Sequence, residues 1–394
     1  MNGRREARQG SVQAVLDLLR SEGPTSQANI ARRTGLSRAT INNIVRALYQ
    51  DGVAEVHWIN GREAVVSLSP KKGTILSIEV APQFLHGAAF SVGSSERHDI
   101  LLSEDDGSLE KNVGPEEVRR LVFALAERCH VEISDLAGIA IGMHAPIEAH
   151  TGAVAGWAAS DLDLWINVPI AQLLPDHANV PIIADNDANL AALAEWTWGS
   201  GKGTSHFLHV VCSSKIGGGF IVDGKIYRGG NGMAGELGHL VIDYHSDKVC
   251  YCGSRGCLST LITEKAILDS LRGSESPKDS LTEVLESARQ GDPLCRRILL
   301  EAGQYLGVAL ADITKIIAPD VISVGGLLGS AGPLIFDGLR ASIEVSNLKI
   351  ISPGVEMRAG TISKDATILG GLAAVLEHLG GGFSELPRWA QHAQ

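Results

Sequence analysis

Four potential metal ligands lie within nineteen residues: His239, Cys250, Cys252 and Cys257. One imidazole and three thiols are the ligand set of a closed structural zinc site, where four ligands converge on a tetrahedron. The chain between the first and last cysteine must therefore turn sharply. Gly253 and Gly256 permit this turn because glycine adopts backbone angles that other residues avoid. This cluster constrains the fold more than any other feature of the sequence.

Disulfide bonds are the alternative for cysteines this close together. The amino-terminal segment is basic, but it is not followed by the apolar block and small residues of a secretory signal peptide. We therefore expect a cytoplasmic protein, in a reducing compartment where metal binding is favoured over disulfides. No apolar run approaches the roughly 20 residues that cross a bilayer, so no membrane partner is expected. The sequence predicts one structural Zn²⁺ per chain.

Charge is distributed unevenly along the chain. Residues 1–72, which we call the head, contain eleven Lys and Arg against six Asp and Glu. The remaining residues contain 23 basic against 39 acidic side chains, and the whole chain has a net charge of −11. A basic head on an acidic body predicts that the head alone contacts a polyanion such as DNA.

Within the head, residues 25–50 have the pattern of a helix-turn-helix. Ile30 and Ala31 predict the inner face of one helix, Gly35 the turn, and Ser37 the N-cap of the next helix. The second helix of such a motif enters the major groove of DNA. Its apolar positions are Ile41, Ile44, Val45 and Leu48. The predicted DNA contacts are Ser26, Gln27, Ser37, Arg38, Thr40, Asn42, Asn43 and Arg46.

Two short strands around an Asn60-Gly61 turn are predicted after this motif, and they would form a small wing that carries Arg62 as a further DNA contact. The alternative for the head is a three-helix protein-binding module with a solvated basic face. Arginine, asparagine and threonine on the second helix favour DNA, because these side chains suit base edges and phosphates.

The body has short apolar strands followed by polar turns, which is the pattern of an α/β protein. One strand runs into Asn186-Asp187, and Gly217–Gly219 are predicted as a turn between two later strands. Glu236 and His239 are three residues apart and would face the same way on a helical turn. One could then face a small molecule while the other holds the metal. Polar groups at strand ends are where α/β proteins bind ligands.

The order of these segments resembles the ROK family, which comprises sugar-responsive repressors and sugar kinases. The matching segments are ADNDANLAALAE at 184–195, IGGGFIVDGKIYRGGNGMAGELGH at 216–239 and CYCGSRGC at 250–257. The head is similar to the winged helix-turn-helix of the repressor branch, which the kinases lack.

The resemblance implies an α/β body of two actin-like, ribonuclease-H-like lobes with a central cleft, preceded by a winged helix-turn-helix domain. The implied domains are 1–72 for DNA binding, 73–190 for the first lobe, to which the C-terminal helix returns, and 191–394 for the second lobe with the zinc site. A homodimer or homotetramer is also implied. The implied sugar-binding residues are Asn186, Asp187, Glu236 and His239, and the implied zinc ligands are His239, Cys250, Cys252 and Cys257.

Departures from the kinase pattern argue against catalysis. The kinases open with a glycine-rich phosphate loop, where this chain has Glu79, Pro82 and Phe84. Proline removes a backbone donor that a phosphate cradle needs. Lys215 replaces a glycine of the second phosphate turn. These changes predict that the chain does not bind ATP and is not an enzyme.

Other departures concern the sugar. Ser259 stands where many members carry Glu, and the loop His144-Ala145-Pro146 replaces a PGP-like sequence. Losing a carboxylate removes one acceptor for a sugar hydroxyl, which predicts an atypical sugar, a sugar derivative or weak sensing.

We therefore expect a sequence-specific DNA-binding transcriptional regulator, a repressor of carbohydrate metabolism, with operator DNA and a carbohydrate effector as its partners. An ATP-dependent ROK sugar kinase is the alternative. A zinc-dependent hydrolase is a weaker one, because it requires an open metal position and four protein ligands leave none.

Overall fold

Contacts within the chain group it into two compact units. The first comprises Met1–Ile141, Ala171–Ala184 and Gly371–Gln394, and the second comprises Gly142–Ile170 and Asp185–Gly370. The first unit contains both the head and the first sheet of the body, so the division at residues 72 and 190 stays a proposal. The computed structural model describes residues 11–12, 14–16, 18–19, 25–50, 54–59, 63–68, 73–92, 94–109, 113–158, 162–174, 180–346, 355–362, 364–379 and 383–391.

The head contains the predicted helix-turn-helix. Residues 11–12, 14–16 and 18–19 are helical, and the helices Gln27–Thr34 and Arg38–Gln50 follow. Gly35 ends the first of these two with a left-handed φ of 69°, which glycine adopts without strain. The Ser37 hydroxyl accepts a hydrogen bond from the Thr40 N–H at 3.1 Å, as expected of an N-cap.

A three-stranded sheet completes the head. Strand β2 (Ala54–Ile59) pairs antiparallel with β3 (Glu63–Leu68), and β3 also pairs with the two-residue β1 (Thr25–Ser26). The predicted winged helix-turn-helix is therefore confirmed. Asn60, Gly61 and Arg62 lie outside the described residues. The buried core of the head consists of Val15, Leu19, Ile30, Ile41, Ile44, Val45, Leu48, Ala54 and Val66.

The body contains two five-stranded sheets that share one topology. The first has the order β6-β5-β4-β7-β8 and the second the order β11-β10-β9-β12-β13. In both, the three strands that come first in sequence form an antiparallel meander whose first strand lies at the centre. This repeated arrangement confirms the predicted ribonuclease-H-like α/β body. The strands are β4 Thr74–Val80, β5 Phe84–Ser91, β6 Glu96–Ser103, β7 Leu136–Met143, β8 Ile182–Asn186, β9 Phe207–Cys212, β10 Ile216–Val222, β11 Lys225–Tyr227, β12 Val321–Gly325 and β13 Glu356–Ala359.

Helices accompany both sheets, and the second unit has the larger helical share. Its longest helix, Pro293–Ile317, begins with an Asp292 N-cap and a proline in the first turn, both of which favour helix initiation. No helix in the described part of the chain combines the length and apolarity needed to cross a membrane. The helices of the body are Pro115–Arg128, Asp187–Trp198, Ser259–Ile262, Glu264–Leu271, Leu281–Arg289, Pro293–Ile317, Gly326–Gly329, Pro333–Val345 and Ala366–His378.

The prediction of a turn at Gly217–Gly219 was wrong. These glycines lie inside β10, and the turn before it is closed by the Ser213 N–H, which donates to the Lys215 carbonyl at 3.0 Å. A Cβ atom on Gly219 would lie 2.6 Å from the Ala188 carbonyl oxygen. The glycines are therefore required because helix Asp187–Trp198 packs directly on the strand, so they position this helix instead of forming a loop.

Candidate functional site

The structure brings the four potential metal ligands together. One ligand atom from each residue, the His239 ring nitrogen and three cysteine sulfurs, lies within 4.8 Å of the others. The Cys250 Sγ lies 3.5 Å from His239 Nδ1, and the Cys252 and Cys257 sulfurs are 3.8 Å apart. The cluster can therefore accept a metal ion without a large rearrangement of the chain.

Glycine angles bring the cysteines to the cluster, as predicted. Gly253 has φ 89° and Gly256 has φ 61°, both in the left-handed region that favours glycine. A Cβ on Gly256 would lie 1.8 Å from the Asp243 carbonyl oxygen, so no other residue fits there. The Cys250 N–H also donates to the Ser254 carbonyl at 2.8 Å, which closes the turn between the ligands.

The crowding of these thiols is compatible with a bound cation. Burial and the neighbouring Cys252 and Cys250 together raise the pKa of Cys257 to about 12. Three adjacent thiolates repel one another, and a bound cation removes this repulsion by holding the ligands in their deprotonated form. The donor set, with one imidazole nitrogen and three sulfurs, matches the structural zinc sites of proteins.

Asn186 and Asp187 lie where β8 ends and helix Asp187–Trp198 begins. The Asn186 side-chain oxygen caps this helix by accepting from the Ala188 N–H at 3.0 Å, and its amide group donates to Asp187 Oδ1 at 2.9 Å. Both side chains are only partly buried. The helix N-terminus therefore fixes two polar side chains whose remaining surface is open to a ligand.

Glu236 approaches this pair from another segment of the second unit. The Gly235 carbonyl accepts from the Gly218 N–H at 2.9 Å, which anchors the Glu236 segment on β10. Burial and the Asp187 carboxylate together raise the pKa of Glu236 to about 7, although Lys215 acts in the opposite direction. The Asp187 charge therefore favours the protonated form of Glu236.

His239 connects the two groups of residues. A 3₁₀ turn, Leu237–His239, follows Glu236 and directs Nδ1 of the imidazole to the thiols. The other nitrogen, Nε2, lies 3.9 Å from Glu236 Oε2. Burial lowers the pKa of His239, which favours the neutral form that binds metals. One imidazole thus contacts the metal cluster on one side and the carboxylate on the other.

His144 also lies in this site, although the sequence identified it only as a departure from the family pattern. Its Nε2 is 3.5 Å from Asp187 Oδ2. Ser259 lies on the metal side, with its hydroxyl 3.6 Å from the Cys250 sulfur. The first residue of the loop that differs from the family's PGP-like sequence therefore contacts Asp187, and the residue that replaces a family glutamate contacts a thiol.

An ion pair that the sequence did not reveal lies next to Asn186 and supports the site. Asp185, which is 4% exposed, accepts from Arg228 Nε at 2.9 Å and from Arg228 Nη2 at 2.6 Å. Its other oxygen accepts from the Asn186 N–H and from the Asn189 side chain, each at 2.8 Å. The pair joins the strand end that carries Asn186 to the segment that precedes Glu236.

Replacing Arg228 with Met is expected to destabilise the protein by about 2 kcal/mol, because it leaves a buried carboxylate with two of its four donors missing. Arg228→Lys should restore only part of this loss, since one ammonium cannot reproduce two guanidinium contacts. Urea unfolding measures the difference. Arg340→Met is the matched control, since its pair with Asp337 is exposed and worth less than about 1 kcal/mol. Equal effects of the two Met variants would contradict the role of the pair.

The segment that matches the kinase phosphate loop forms a tight hairpin in the first unit. Between β4 and β5, the Ala81 N–H donates to the Phe84 carbonyl at 3.0 Å, and Pro82 between them has no N–H. Glu79 is buried within β4. In this turn one backbone donor is used and one is lacking, so fewer donors remain for a phosphate than in a glycine-rich loop.

In the head, the predicted DNA-contacting side chains lie mostly on the surface. Ser26 caps its helix by accepting from the Asn29 N–H at 3.3 Å, and the Thr40 hydroxyl is hydrogen-bonded to Ser37 at 2.8 Å. Gln27 is partly buried. The exposed residues of the set are Ser37, Arg38, Asn42, Asn43 and Arg46.

Comparison with known protein families gives two matches. The family described as ROK matches residues 103–378, and the family described as winged helix-turn-helix DNA-binding matches residues 11–55. The first match covers more than half of the chain and includes all of the metal cluster and the polar residues around it.

Individual relatives include repressors and kinases. A xylose repressor of Caldicellulosiruptor bescii is 26% identical over 376 residues, which cover 90% of this chain and 92% of the relative. A glucokinase of Halalkalibacterium halodurans is 32% identical over 256 residues, which cover 61% of this chain and 77% of the relative. A solved structure described as a ROK family transcriptional regulator, a homolog of the E. coli MLC protein, has a TM-score of 0.77 at 22% identity, with 95% of this chain and 97% of that chain covered.

Proposed function

Because this chain belongs to the ROK family, we propose that it is a DNA-binding transcriptional repressor of carbohydrate metabolism whose binding to operator DNA responds to a sugar or sugar derivative. The observation that carries this proposal is the head. A winged helix-turn-helix with an exposed polar face on its second helix precedes the body, and the similarity to a xylose repressor extends over 90% of the chain.

In the proposed mechanism, Asn186, Asp187, Glu236 and His239 hold the effector. Carboxylates accept hydrogen bonds from sugar hydroxyls, and an amide offers both donors and an acceptor. These residues come from two separate segments of the second unit, so a ligand bound to both would restrain them together. An effector changes DNA binding only if it binds one conformation of the protein more tightly than the other.

One Zn²⁺ per chain would be held by His239, Cys250, Cys252 and Cys257. With four protein ligands, the ion would stabilise the loop and would leave no position for a catalytic water. Its role would be to fix the orientation of the His239 imidazole, whose second nitrogen lies beside Glu236. Metal ligation and effector binding would thus depend on the same imidazole.

The proposed repressor assembles as a homodimer or homotetramer. Helix-turn-helix proteins bind two half-sites about one helical turn apart, which requires two heads related by two-fold symmetry. Each head would present Arg38, Asn43 and Arg46 to its half-site.

Replacing Arg46 with Ala is expected to weaken binding to all DNA sequences and to reduce the slope of log affinity against log salt by about one, as loss of one phosphate contact does. Replacing Asn43 with Ala should instead relax the preference for operator over random DNA, because amide side chains bind base edges. Fluorescence anisotropy over a range of salt concentrations measures both effects. Arg297→Ala, whose exposed partner Glu301 is on the same helix, is the control. Operator binding that survives deletion of residues 1–72 would refute the assignment.

An ATP-dependent sugar kinase is the second candidate. The glucokinase relative and the carboxylate pair of Asp187 and Glu236 favour it. In a kinase, Asp187 would deprotonate the sugar hydroxyl that attacks the phosphate. The hairpin at Pro82 opposes this function, since a triphosphate needs free backbone donors.

A further inference from the structure

Two aromatic side chains flank the imidazole of His239. The Trp157 ring packs edge-on against it, with ring centroids 5.7 Å apart and an interplanar angle of 74°. The Tyr251 ring does the same at 4.8 Å and 84°. We infer that Trp157 and Tyr251 form an aromatic subsite that packs against the apolar C–H face of a bound pyranose, an inference that rests on the proposed effector site.

About half or more of the surface of each ring is exposed. Trp157 is 49% exposed and Tyr251 is 61% exposed, although both belong to the same unit as the polar site and touch one of its residues. Exposed aromatic surface that is continuous with a polar site is typical of ligand-binding surfaces, because binding removes it from water.

The backbone that carries each ring is anchored. Trp157 lies in the short turn Gly156–Ala158, and just before it the Ala155 N–H donates to the Pro146 carbonyl at 2.9 Å. Tyr251 lies between two metal-ligand candidates in a turn where the Gly253 N–H donates to the Cys250 carbonyl at 2.9 Å. The backbone that carries each ring is therefore held in place, which reduces the ordering cost when a ligand covers the rings.

Polar and apolar contacts meet at this imidazole. The Tyr251 hydroxyl is hydrogen-bonded to His239 Nε2 at 2.8 Å, and Glu236 Oε2 lies 3.9 Å from the same nitrogen. A pyranose has the same division, with hydroxyls around its edge and C–H bonds on its faces. A ring whose edge bonds to Glu236 can therefore present a face to the aromatic pair.

This geometry selects the configuration of the sugar. When all ring hydroxyls are equatorial, as in glucose, xylose and N-acetylglucosamine, axial C–H bonds give two continuous apolar faces. D-Altrose has axial hydroxyls on both faces, at C2 and C3, which interrupt the apolar surface and leave a polar group against an aromatic ring. The subsite should therefore bind the equatorial sugars and discriminate against altrose.

Isothermal titration calorimetry of the full-length protein with these four sugars tests the inference. Trp157→Ala and Tyr251→Ala should each weaken binding of the tightest equatorial sugar about tenfold, while Trp157→Phe and Tyr251→Phe should stay within about threefold of the parent. The Phe variant at position 251 keeps the ring and removes the hydroxyl, so it separates stacking from the hydrogen bond to His239. Sugar binding should also change the tryptophan fluorescence of the parent more than that of Trp157→Phe.

Zinc content is measured in every variant. If Tyr251→Ala loses metal, the Trp157 variants test the subsite alone, because Trp157 lies outside the metal loop. Unchanged affinity in Trp157→Ala, together with loss of binding in Asp187→Asn, would overturn the subsite and leave the proposed effector site intact. Equal losses in Tyr251→Phe and Tyr251→Ala, with no loss in Trp157→Ala, would also overturn it. Failure of the parent to bind any sugar would overturn the effector site and the subsite together.

Discussion

Replacing Cys252 with Ser is expected to remove the zinc from the folded protein and to lower its stability by several kcal/mol. Structural zinc contributes about 10–16 kcal/mol of apparent binding energy in small zinc domains, and binding energy for a site absent from the unfolded chain is folding energy. Cys252 is the exposed member of the cluster, whereas Cys250 and Cys257 are buried. The loss at position 252 therefore measures ligation with little contribution from packing.

Elemental analysis should find one zinc per chain in the freshly purified parent and less in the variant. Thermal unfolding with and without a chelator gives the stability. Cys129→Ser is the control, because Cys129 is a partly buried thiol outside the cluster and should keep its zinc. A freshly purified parent without zinc would defeat the assignment, as would full zinc occupancy in the Cys252 variant.

The local sequence was sufficient to predict the head and the metal cluster. The helix end at Gly35, the N-cap at Ser37 and the apolar face of the second helix each depend on contacts within a few residues of the chain. Short-range backbone geometry is therefore enough to predict them. The thiols are likewise close in sequence, so a turn at Gly253 and Gly256 was enough to bring them together. The ribonuclease-H-like body followed from the resemblance of three segments to the ROK family, since strand periodicity alone does not determine sheet order.

The turn wrongly predicted at Gly217–Gly219 shows what local sequence could not reveal. Glycine runs are typical of turns, but here the missing side chains allow a helix from another segment to pack on the strand, with Gly219 against Ala188. The pair of Asp185 and Arg228 was missed for a related reason. These residues are 43 positions apart, and only the tertiary fold brings them together.

The sugar-binding roles of Asn186, Asp187, Glu236 and His239 stay a prediction, although the structure brings several of these residues together. The contact of His144 with Asp187 was not predictable, because it depends on how β7 and β8 end relative to each other. The aromatic pair was not predictable either, since neither Trp157 nor Tyr251 belongs to a sequence motif. Side chains that approach one imidazole from different loops leave no periodic signal in the sequence.

Replacing Asp187 with Asn is expected to weaken effector binding by about 10- to 100-fold, because a hydrogen bond from a sugar hydroxyl to a charged acceptor is worth about 1.5–3 kcal/mol. The variant should also keep its DNA affinity unchanged when sugar is added, since a ligand that no longer binds cannot shift a conformational equilibrium. Calorimetry across a panel of hexoses and pentoses measures the first effect, and anisotropy with operator DNA measures the second. Asp223→Asn is the control, because that carboxylate is 85% exposed and outside the site.

The same experiment separates the repressor from the kinase. With ATP and magnesium present, the parent should bind sugar and form no sugar phosphate, because the hairpin that matches the phosphate loop has one backbone donor removed by Pro82 and another used by the Phe84 carbonyl. Asp187→Asn would then have no turnover to lose, whereas a general base in a kinase contributes about 10²–10⁴-fold to the rate. The parent could instead form sugar phosphate at typical kinase rates, and the Asp187 variant could lose this activity. That result would establish a kinase and would contradict the proposal that the site binds sugar without catalysis.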